Sequence, residues 1–351
     1  MFGTEYNWLV ESTHTSFGAP KVRLAGGGLF TLAVAVFCFL CVALRAAPTA
    51  AAAETAWALA GMDGIIEGLA IHPTTLQSFF GDVHNRCIWQ RDTRGSSAVM
   101  SKFSADTDGL LGVFALKISA DGRTLWASCS ALPEMKGYTE ADKGRAFLAA
   151  YDLGSRQLLR KFELPADGRA HVLGDFIIAP EGTIYATDSL APVIWRLTPG
   201  TDRLENWLED ANFKSLQGLA FAADGGALYV ADYPKGLWRV SLGAHTTKLL
   251  PAPAGANLHG LDGLYVVSDG LVAVQNGLNP QRILRLKLDP AGAIVSANVL
   301  LSGHAAMTDL SLGQVVNGRL HFIANSGWEL YANPIATPAP RDVIILNTPV
   351  N

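Results

Sequence analysis

The sequence predicts an all-β protein, a six-bladed β-propeller, and three observations support this prediction. Apolar residues make up 49% of the 351 residues, and glycine is frequent, with 35 residues. This composition suits many short strands joined by turns better than long helices. Runs of alternating or β-branched residues lie between Asp-Gly, Glu-Gly and Asn-Gly turns. The same unit also recurs along the chain at a period of about 40–50 residues, which is typical of propellers.

Each repeated unit consists of an apolar strand, a turn, a second strand with a polar end, and a third strand. Six copies are present, at residues 67–92, 114–130, 174–200, 217–243, 261–289 and 308–331. Since each copy provides one small sheet, stacking the six buries a continuous core. Two stacked β-sandwich domains are the alternative, but no linker interrupts the array.

The ends of the propeller region are expected to pair and close the ring. Copies one to five have a fourth strand, whereas copy six lacks one. Residues 55–59 (Thr-Ala-Trp-Ala-Leu) have the length and character to supply it. Because ring closure removes exposed strand edges, we predict that the N-terminal strand joins the last blade of a domain at 54–351.

Residues 1–53 have the character of a targeting segment. Residues 24–44 carry no charge, Lys21 and Arg23 precede them, and a small-residue tract follows up to Ala53. This order predicts a signal peptide that is cleaved before Glu54. The apolar run is also long enough for an uncleaved membrane anchor. In both cases we expect the propeller to be exported, periplasmic or secreted, with membrane contact only through an uncleaved segment.

Charge and cysteine content exclude several classes of function. The 27 Lys and Arg against 31 Asp and Glu give a net charge of -4, which does not indicate nucleic-acid binding. The sequence has no phosphate-binding loop, no G-x-S-x-G elbow and no H-E-x-x-H pair. Cys87 and Cys129 of the propeller region are predicted to be buried, unpaired thiols. We expect a monomer that acts on a small molecule.

The innermost strand of each blade lines the central channel, and its first residues lie at the channel entrance. Aligning the copies places six positions around one rim: Glu67, Phe114, Asp175 beside Gly174, Gln217, Asp262 and Asp309 beside Thr308. Buried carboxylates are costly unless they are paired or bind a metal. The residues therefore indicate either a hard cation such as Ca²⁺ or solvated caps of strand ends.

Three of these inner strands carry a resemblance to a known family. The residues are Ile-Glu-Gly-Leu at 66–69, Gln-Gly-Leu-Ala at 217–220 and Leu-Asp-Gly-Leu at 261–264. Over about residues 60–350 the chain resembles the regucalcin/gluconolactonase (senescence-marker-like) family of six-bladed propellers. The resemblance implies a divalent cation at the rim, Ca²⁺ as the expected cofactor, and hydrolysis of sugar lactones or related esters.

The resemblance also implies roles for individual residues. Glu67 and Asp262 match the family's Glu and Asp metal ligands, whereas Asp175 and Gln217 stand where the family has two Asn. Asp262 is expected to act also as a general base, with Glu67 as a further catalytic residue. His259, three residues before Asp262, is a second candidate base. The predicted function is therefore an exported, metal-dependent lactonase or ester hydrolase.

Further residues are predicted to contact the substrate or to shape the site. The substrate-binding candidates are Phe114, His171, Asp309, Asn276 and Tyr138. Tyr138 belongs to a polar insertion at 132–145, interpreted as a lid over the channel or as an exposed excursion. Two alternative functions remain: a non-catalytic propeller that binds a ligand or partner, and a metal-independent enzyme similar to strictosidine synthase that uses Glu67 as acid or base.

Overall fold

A computed structural model describes residues 53–92, 99–332 and 338–350. The predicted signal peptide or anchor at 1–53 lies outside these residues except for Ala53, so its fate stays a prediction. Helix in the described part is limited to α1 (Trp328–Tyr331) and to short 3₁₀ turns at Asp106–Asp108 and Glu140–Asp142. None of the helices described there is long and apolar enough to cross a membrane.

The described residues form six antiparallel sheets of four strands, arranged as a six-bladed β-propeller. The predicted fold class is therefore confirmed. The chain begins with β1 (Glu54–Met62), which pairs elsewhere, and then runs through three blades whose strands pair in chain order. These strands are β2 (Ile66–Ile71), β3 (Ser78–Asp82), β4 (Cys87–Asp92) and β5 (Val99–Lys102) in blade 1; β6 (Gly112–Ile118), β7 (Thr124–Ser130), β8 (Ala146–Asp152) and β9 (Leu158–Glu163) in blade 2; and β10 (Leu173–Ile178), β11 (Ile184–Asp188), β12 (Val193–Leu197) and β13 (Glu205–Glu209) in blade 3.

Blades 4 and 5 repeat the same order, with the first strand of each blade innermost. Their strands are β14 (Leu216–Phe221), β15 (Ala227–Asp232), β16 (Gly236–Ser241) and β17 (Thr247–Leu249) in blade 4, and β18 (Leu261–Val267), β19 (Gly270–Gln275), β20 (Arg282–Leu288) and β21 (Ile294–Ser302) in blade 5. The predicted insertion at 132–145 lies between β7 and β8, as expected from the sequence.

Blade 6 closes the ring by combining both ends of the propeller region. It contains β22 (Gly313–Val316), β23 (Arg319–Ile323) and β24 (Arg341–Pro349), and β1 pairs with β24 as its outermost strand. The closure predicted for residues 55–59 is confirmed. Leu59 lies opposite Val343 and is fully buried, so hydrophobic packing as well as backbone pairing holds the ring closed.

An aspartate–tryptophan hydrogen bond recurs in three blades. In each, the aspartate that ends the second strand accepts a hydrogen bond from an indole N–H in the third strand. The pairs are Asp82 with Trp89 at 3.0 Å, Asp188 with Trp195 at 3.1 Å and Asp232 with Trp238 at 3.0 Å. All three aspartates are buried and also accept backbone N–H groups of nearby loops. They tie loops to strands.

Apolar residues of neighbouring blades form shared clusters. Ile194 of blade 3, for example, packs in the same cluster as Leu219 and Val230 of blade 4. Cys87 and Cys129 are buried and free, as predicted. Burial raises the pKa of both thiols, which makes them poor nucleophiles.

We predict that Leu59→Ala destabilises the propeller by about 2–5 kcal/mol, because it leaves a cavity at the ring closure. The matched control Leu249→Ala truncates a leucine that is 40% exposed on the outermost strand of blade 4, and it should change stability by about 0.5 kcal/mol or less. Urea unfolding followed by circular dichroism measures both values. Equal losses for the two variants would contradict a closure that depends on β1.

Candidate functional site

An irregularity recurs at the start of the inner strands and places the predicted rim residues. In five blades, the pairing of the innermost strand with its neighbour skips one or two residues. The skips lie between Ile66 and Gly68, Val113 and Leu116, Leu173 and Phe176, Leu216 and Leu219, and Leu261 and Leu264. The skipped positions include Glu67, Phe114, Asp175, Gln217 and Asp262. Bulges of this kind redirect side chains next to functional sites.

Glycines beside the bulges let adjacent inner strands approach closely. A Cβ added to Gly68 would lie 2.0 Å from the carbonyl oxygen of Phe114, and one added to Gly218 would lie 2.3 Å from that of Asp262. Only glycine fits at such backbone contacts. The polar–glycine pairs of the sequence therefore bring rim side chains of neighbouring blades together.

Glu67 is buried at the channel entrance, with 9% of its surface exposed. Its Oε2 accepts a hydrogen bond of 2.6 Å from the indole Nε1 of Trp328 in α1. Desolvation, reinforced by the charge of Asp262, raises the pKa of Glu67 from 4.5 to about 8, against the hydrogen bonds from Trp328 and Ser311. Burial thus favours the protonated form of Glu67.

Asp262 is buried at the same entrance, with 7% exposure. Its Oδ2 accepts a hydrogen bond of 2.7 Å from Asn276 Nδ2, and the same amide donates to the Leu310 carbonyl oxygen. The Tyr233 hydroxyl donates to Asn276 Oδ1. Desolvation, and then the charge of Asp175, raises the pKa of Asp262 to about 7. Asn276, a predicted substrate-binding residue, uses its amide to orient Asp262.

Asp309 holds the loop that covers Glu67. Its Oδ2 accepts three hydrogen bonds, from Ser326 Oγ at 2.7 Å, Gly327 N at 2.8 Å and Trp328 N at 2.7 Å. These bonds orient Trp328, whose indole then reaches Glu67. Asp309 thus positions the loop that carries Trp328, and its predicted role in substrate binding stays a prediction.

Asp175 forms an ion pair that the sequence analysis missed. Lys117 Nζ on β6 lies 3.0 Å from Asp175 Oδ1 on β10. Oδ1 also accepts the Phe176 N–H at 2.8 Å, while the buried Oδ2 has no hydrogen-bond partner. In the sequence, Lys117 stands out as the single charged residue of an otherwise apolar inner strand. This contrast could have indicated a buried acidic partner. We call Glu67, Asp175, Asp262, Asp309 and Lys117 together the axial site.

Phe114 packs with Trp328 and with the start of the insertion. Phe114 is buried, and its ring centroid lies 6.0 Å from that of Trp328. Leu132 of the insertion packs in the same apolar cluster as Phe114 and Tyr331. Tyr138, a predicted substrate-binding residue, instead packs against the core between blades 1 and 2. The base of the insertion is thus folded onto the channel side of the molecule.

Neither histidine candidate shows a contact with the axial carboxyl groups. His171 is buried, with Nδ1 2.7 Å from Asp188 Oδ2 and Nε2 2.9 Å from Asp167 Oδ1. Burial lowers the pKa of His171, but Asp188 and Asp167 outweigh it, so the net shift is upward. His259 is exposed and lines a separate pocket with Lys235. His171 is thus held by two aspartates and His259 lies at a surface pocket, and their predicted substrate and base roles stay predictions.

Solved structures with the same fold include enzymes of different named activities. A gluconolactonase from Xanthomonas campestris has 15% identity and a TM-score of 0.56, covering 86% of this chain and 90% of its own. The PQQ-bound aldose sugar dehydrogenase of Streptomyces coelicolor has 14% identity and a TM-score of 0.56, covering 86% and 99%. Virginiamycin B lyase from Staphylococcus aureus has 16% identity and a TM-score of 0.54, covering 77% and 82%.

These likenesses establish the fold and leave the reaction open, since propellers host many chemistries. No protein-family model matches the sequence, and no curated protein matches it. The likeness to a solved gluconolactonase agrees with the predicted resemblance in fold. A specific relation to regucalcin stays a prediction.

Asp175, one of the four predicted Ca²⁺ ligands, already has a cationic partner in the described structure. Asp175 is paired with Lys117, and Gln217 donates to Ser215 Oγ at 3.0 Å. N–H donors already occupy one oxygen each of Glu67 and Asp262. Among residues 53–92, 99–332 and 338–350, no group of three or more His, Cys, Asp or Glu side chains is arranged to hold a metal ion.

We predict that stability falls as the pH rises through the titration of the axial carboxyls. Glu67 and Asp262 bind protons more tightly when folded than at their ordinary pKa values of 4.5 and 3.8. The contribution of these two bound protons to the free energy of unfolding is complete below about pH 4, and it is lost as the pH rises to about 8. Each such proton changes the free energy of unfolding by up to about 1.4 kcal/mol per pH unit.

Urea unfolding at several pH values across this window tests the prediction. Glu67→Gln should flatten the decline, because the amide does not titrate. Glu181→Gln, an exposed control in the turn between β10 and β11, should keep the decline of the wild type. If the free energy of unfolding of Glu67→Gln declines with pH as steeply as that of the wild type, the assignment of this titration to Glu67 is contradicted.

Proposed function

We propose that the axial site hydrolyses a lactone or related ester by acid–base catalysis of Glu67 and Asp262. The observation that carries the proposal is the pair of buried carboxyl groups whose charges interact at one channel entrance. Each carboxyl has one oxygen fixed by a donor, Trp328 for Glu67 and Asn276 for Asp262. The proposal assigns proton transfer to the other oxygen of each, Oε1 and Oδ1.

Burial and the interaction of the two charges raise both pKa values, so the pair shares a proton near neutral pH. In the proposed mechanism Asp262 is the base: its carboxylate takes a proton from water, and the water oxygen attacks the ester carbonyl carbon. Glu67 is the acid: it donates its proton to the leaving oxygen as the carbon–oxygen bond breaks. The hydroxy acid leaves, and transfer of the proton from Asp262 to Glu67 restores the starting state. Pairs of carboxyls with separated pKa values perform such chemistry elsewhere.

The charge of the site favours a neutral substrate. Four carboxyl groups and one ammonium group face the entrance in the described structure. A lactone or ester carries no charge to repel.

The proposed location follows from the sequence alone. We propose that the segment at 24–44 exports the propeller to the periplasm or the medium, where it acts as a monomer on a small molecule. The apolar run, its basic flank and the small-residue tract support this proposal.

We predict that Glu67→Gln and Asp262→Asn each lower kcat by about 10²–10⁴-fold, the usual contribution of a general acid or base. The measurement is hydrolysis of a panel of sugar lactones and aryl esters by purified protein, with circular dichroism as a check on folding. Glu181→Gln is the control and should retain wild-type activity, because it lies at the other end of the propeller.

Parallel assays with and without a chelator separate the mechanisms. Activity that survives the chelator and requires both carboxyls supports the proposal. Activity that the chelator abolishes would contradict it in favour of the metal-dependent hydrolase. Ligand binding without turnover anywhere in the panel would contradict it in favour of a non-catalytic propeller.

A further inference from the structure

The axial site contains a side-chain cation in a place where the family resemblance implies a metal ion. Lys117 is on the inner strand of blade 2, and its side chain is 24% exposed. Its ammonium group lies 3.0 Å from Asp175 of blade 3, a carboxylate that is 2% exposed. The ion pair thus crosses between two blades at the channel.

A lysine at this position compensates a charge that would otherwise be costly. Asp175 is buried, and its Oδ2 has no hydrogen-bond partner in the described structure. Its charge also acts on Asp262. Without the ammonium group, two facing carboxylates would lie buried with no cation beside them, which proteins avoid.

Each of the other acidic groups of the axial site already has one oxygen bound by hydrogen-bond donors. Trp328 donates to Glu67, Asn276 donates to Asp262, and Asp309 accepts three donors from its own loop. A divalent cation beside Asp175 would meet the like charge of Lys117, and repulsion at such distances is large in a buried site.

We propose that Lys117 supplies the positive charge of the axial site in place of a divalent cation, so that the site is complete without a metal. The proposal goes beyond ester hydrolysis and holds for any ligand of the site. Lys117 acts here through Asp175, as a positioning residue for the charges around the channel.

Calcium and manganese binding test this proposal without an activity assay. Isothermal titration and thermal unfolding are measured with CaCl₂ and MnCl₂ at constant ionic strength. We expect the wild type to bind neither ion specifically. Lys117→Met should gain binding, at least about tenfold tighter than the wild type, because the repelling charge is gone, and its Tm should rise with the ion concentration.

Three further variants make the result specific. Lys117→Arg keeps the charge and should behave like the wild type. Lys102→Met is the matched control, because Lys102 forms an ion pair with Asp106 outside the axial site, and it should gain no binding. Adding Glu67→Gln to Lys117→Met should weaken the gained binding, since it removes an axial carboxylate.

Specific Ca²⁺ or Mn²⁺ binding by the wild type would overturn the proposal, and this result needs no folded variant. The proposal is also contradicted if Lys117→Met binds Ca²⁺ and Mn²⁺ as weakly as the wild type. The same holds if Lys117→Arg gains ion binding as Lys117→Met does. A protein that follows the expected pattern but hydrolyses no ester would contradict the proposed function and leave this inference intact.

Discussion

Close contact between the inner strands around the channel sets the positions of the blades and of the rim side chains. Glycine at positions 68 and 218 allows one backbone to lie against the carbonyl group of the next inner strand. The bulges beside these glycines turn Glu67, Gln217 and Asp262 away from the regular pleat. A side chain at either glycine would force the strands apart, and with them the carboxyl groups of the axial site.

Burying acidic groups in this way has an energetic cost that the surroundings offset only in part. Trp328, Asn276 and Lys117 each supply a donor or a charge to one carboxyl. The remaining desolvation and charge repulsion raise the pKa values of Glu67 and Asp262. Perturbed groups of this kind occur often at functional sites, where stability is exchanged for reactivity. The same residual charge repulsion thus links the pH dependence of folding to the proposed chemistry.

The loop over the channel shows how blade 6 differs from the others. Its inner strand has no bulge at the equivalent place, and Asp309 precedes the strand in an isolated bridge to Asn325. Asp309 is consequently free to bind the turn that carries Trp328. The result is a cover over Glu67 that comes from the blade in which the two ends of the chain meet.

The number of blades and the closing strand were predictable from sequence, because local alternation and a repeated polar–glycine pair are encoded by neighbouring residues. The contacts of each polar side chain became visible only in the folded propeller. Asn276 and His171 hold aspartates in place, and Asp175 pairs with Lys117. These partners lie 14 to 58 residues apart along the chain, so the sequence around each residue does not reveal them. Such pairings depend on how the blades pack, and no local pattern specifies that packing.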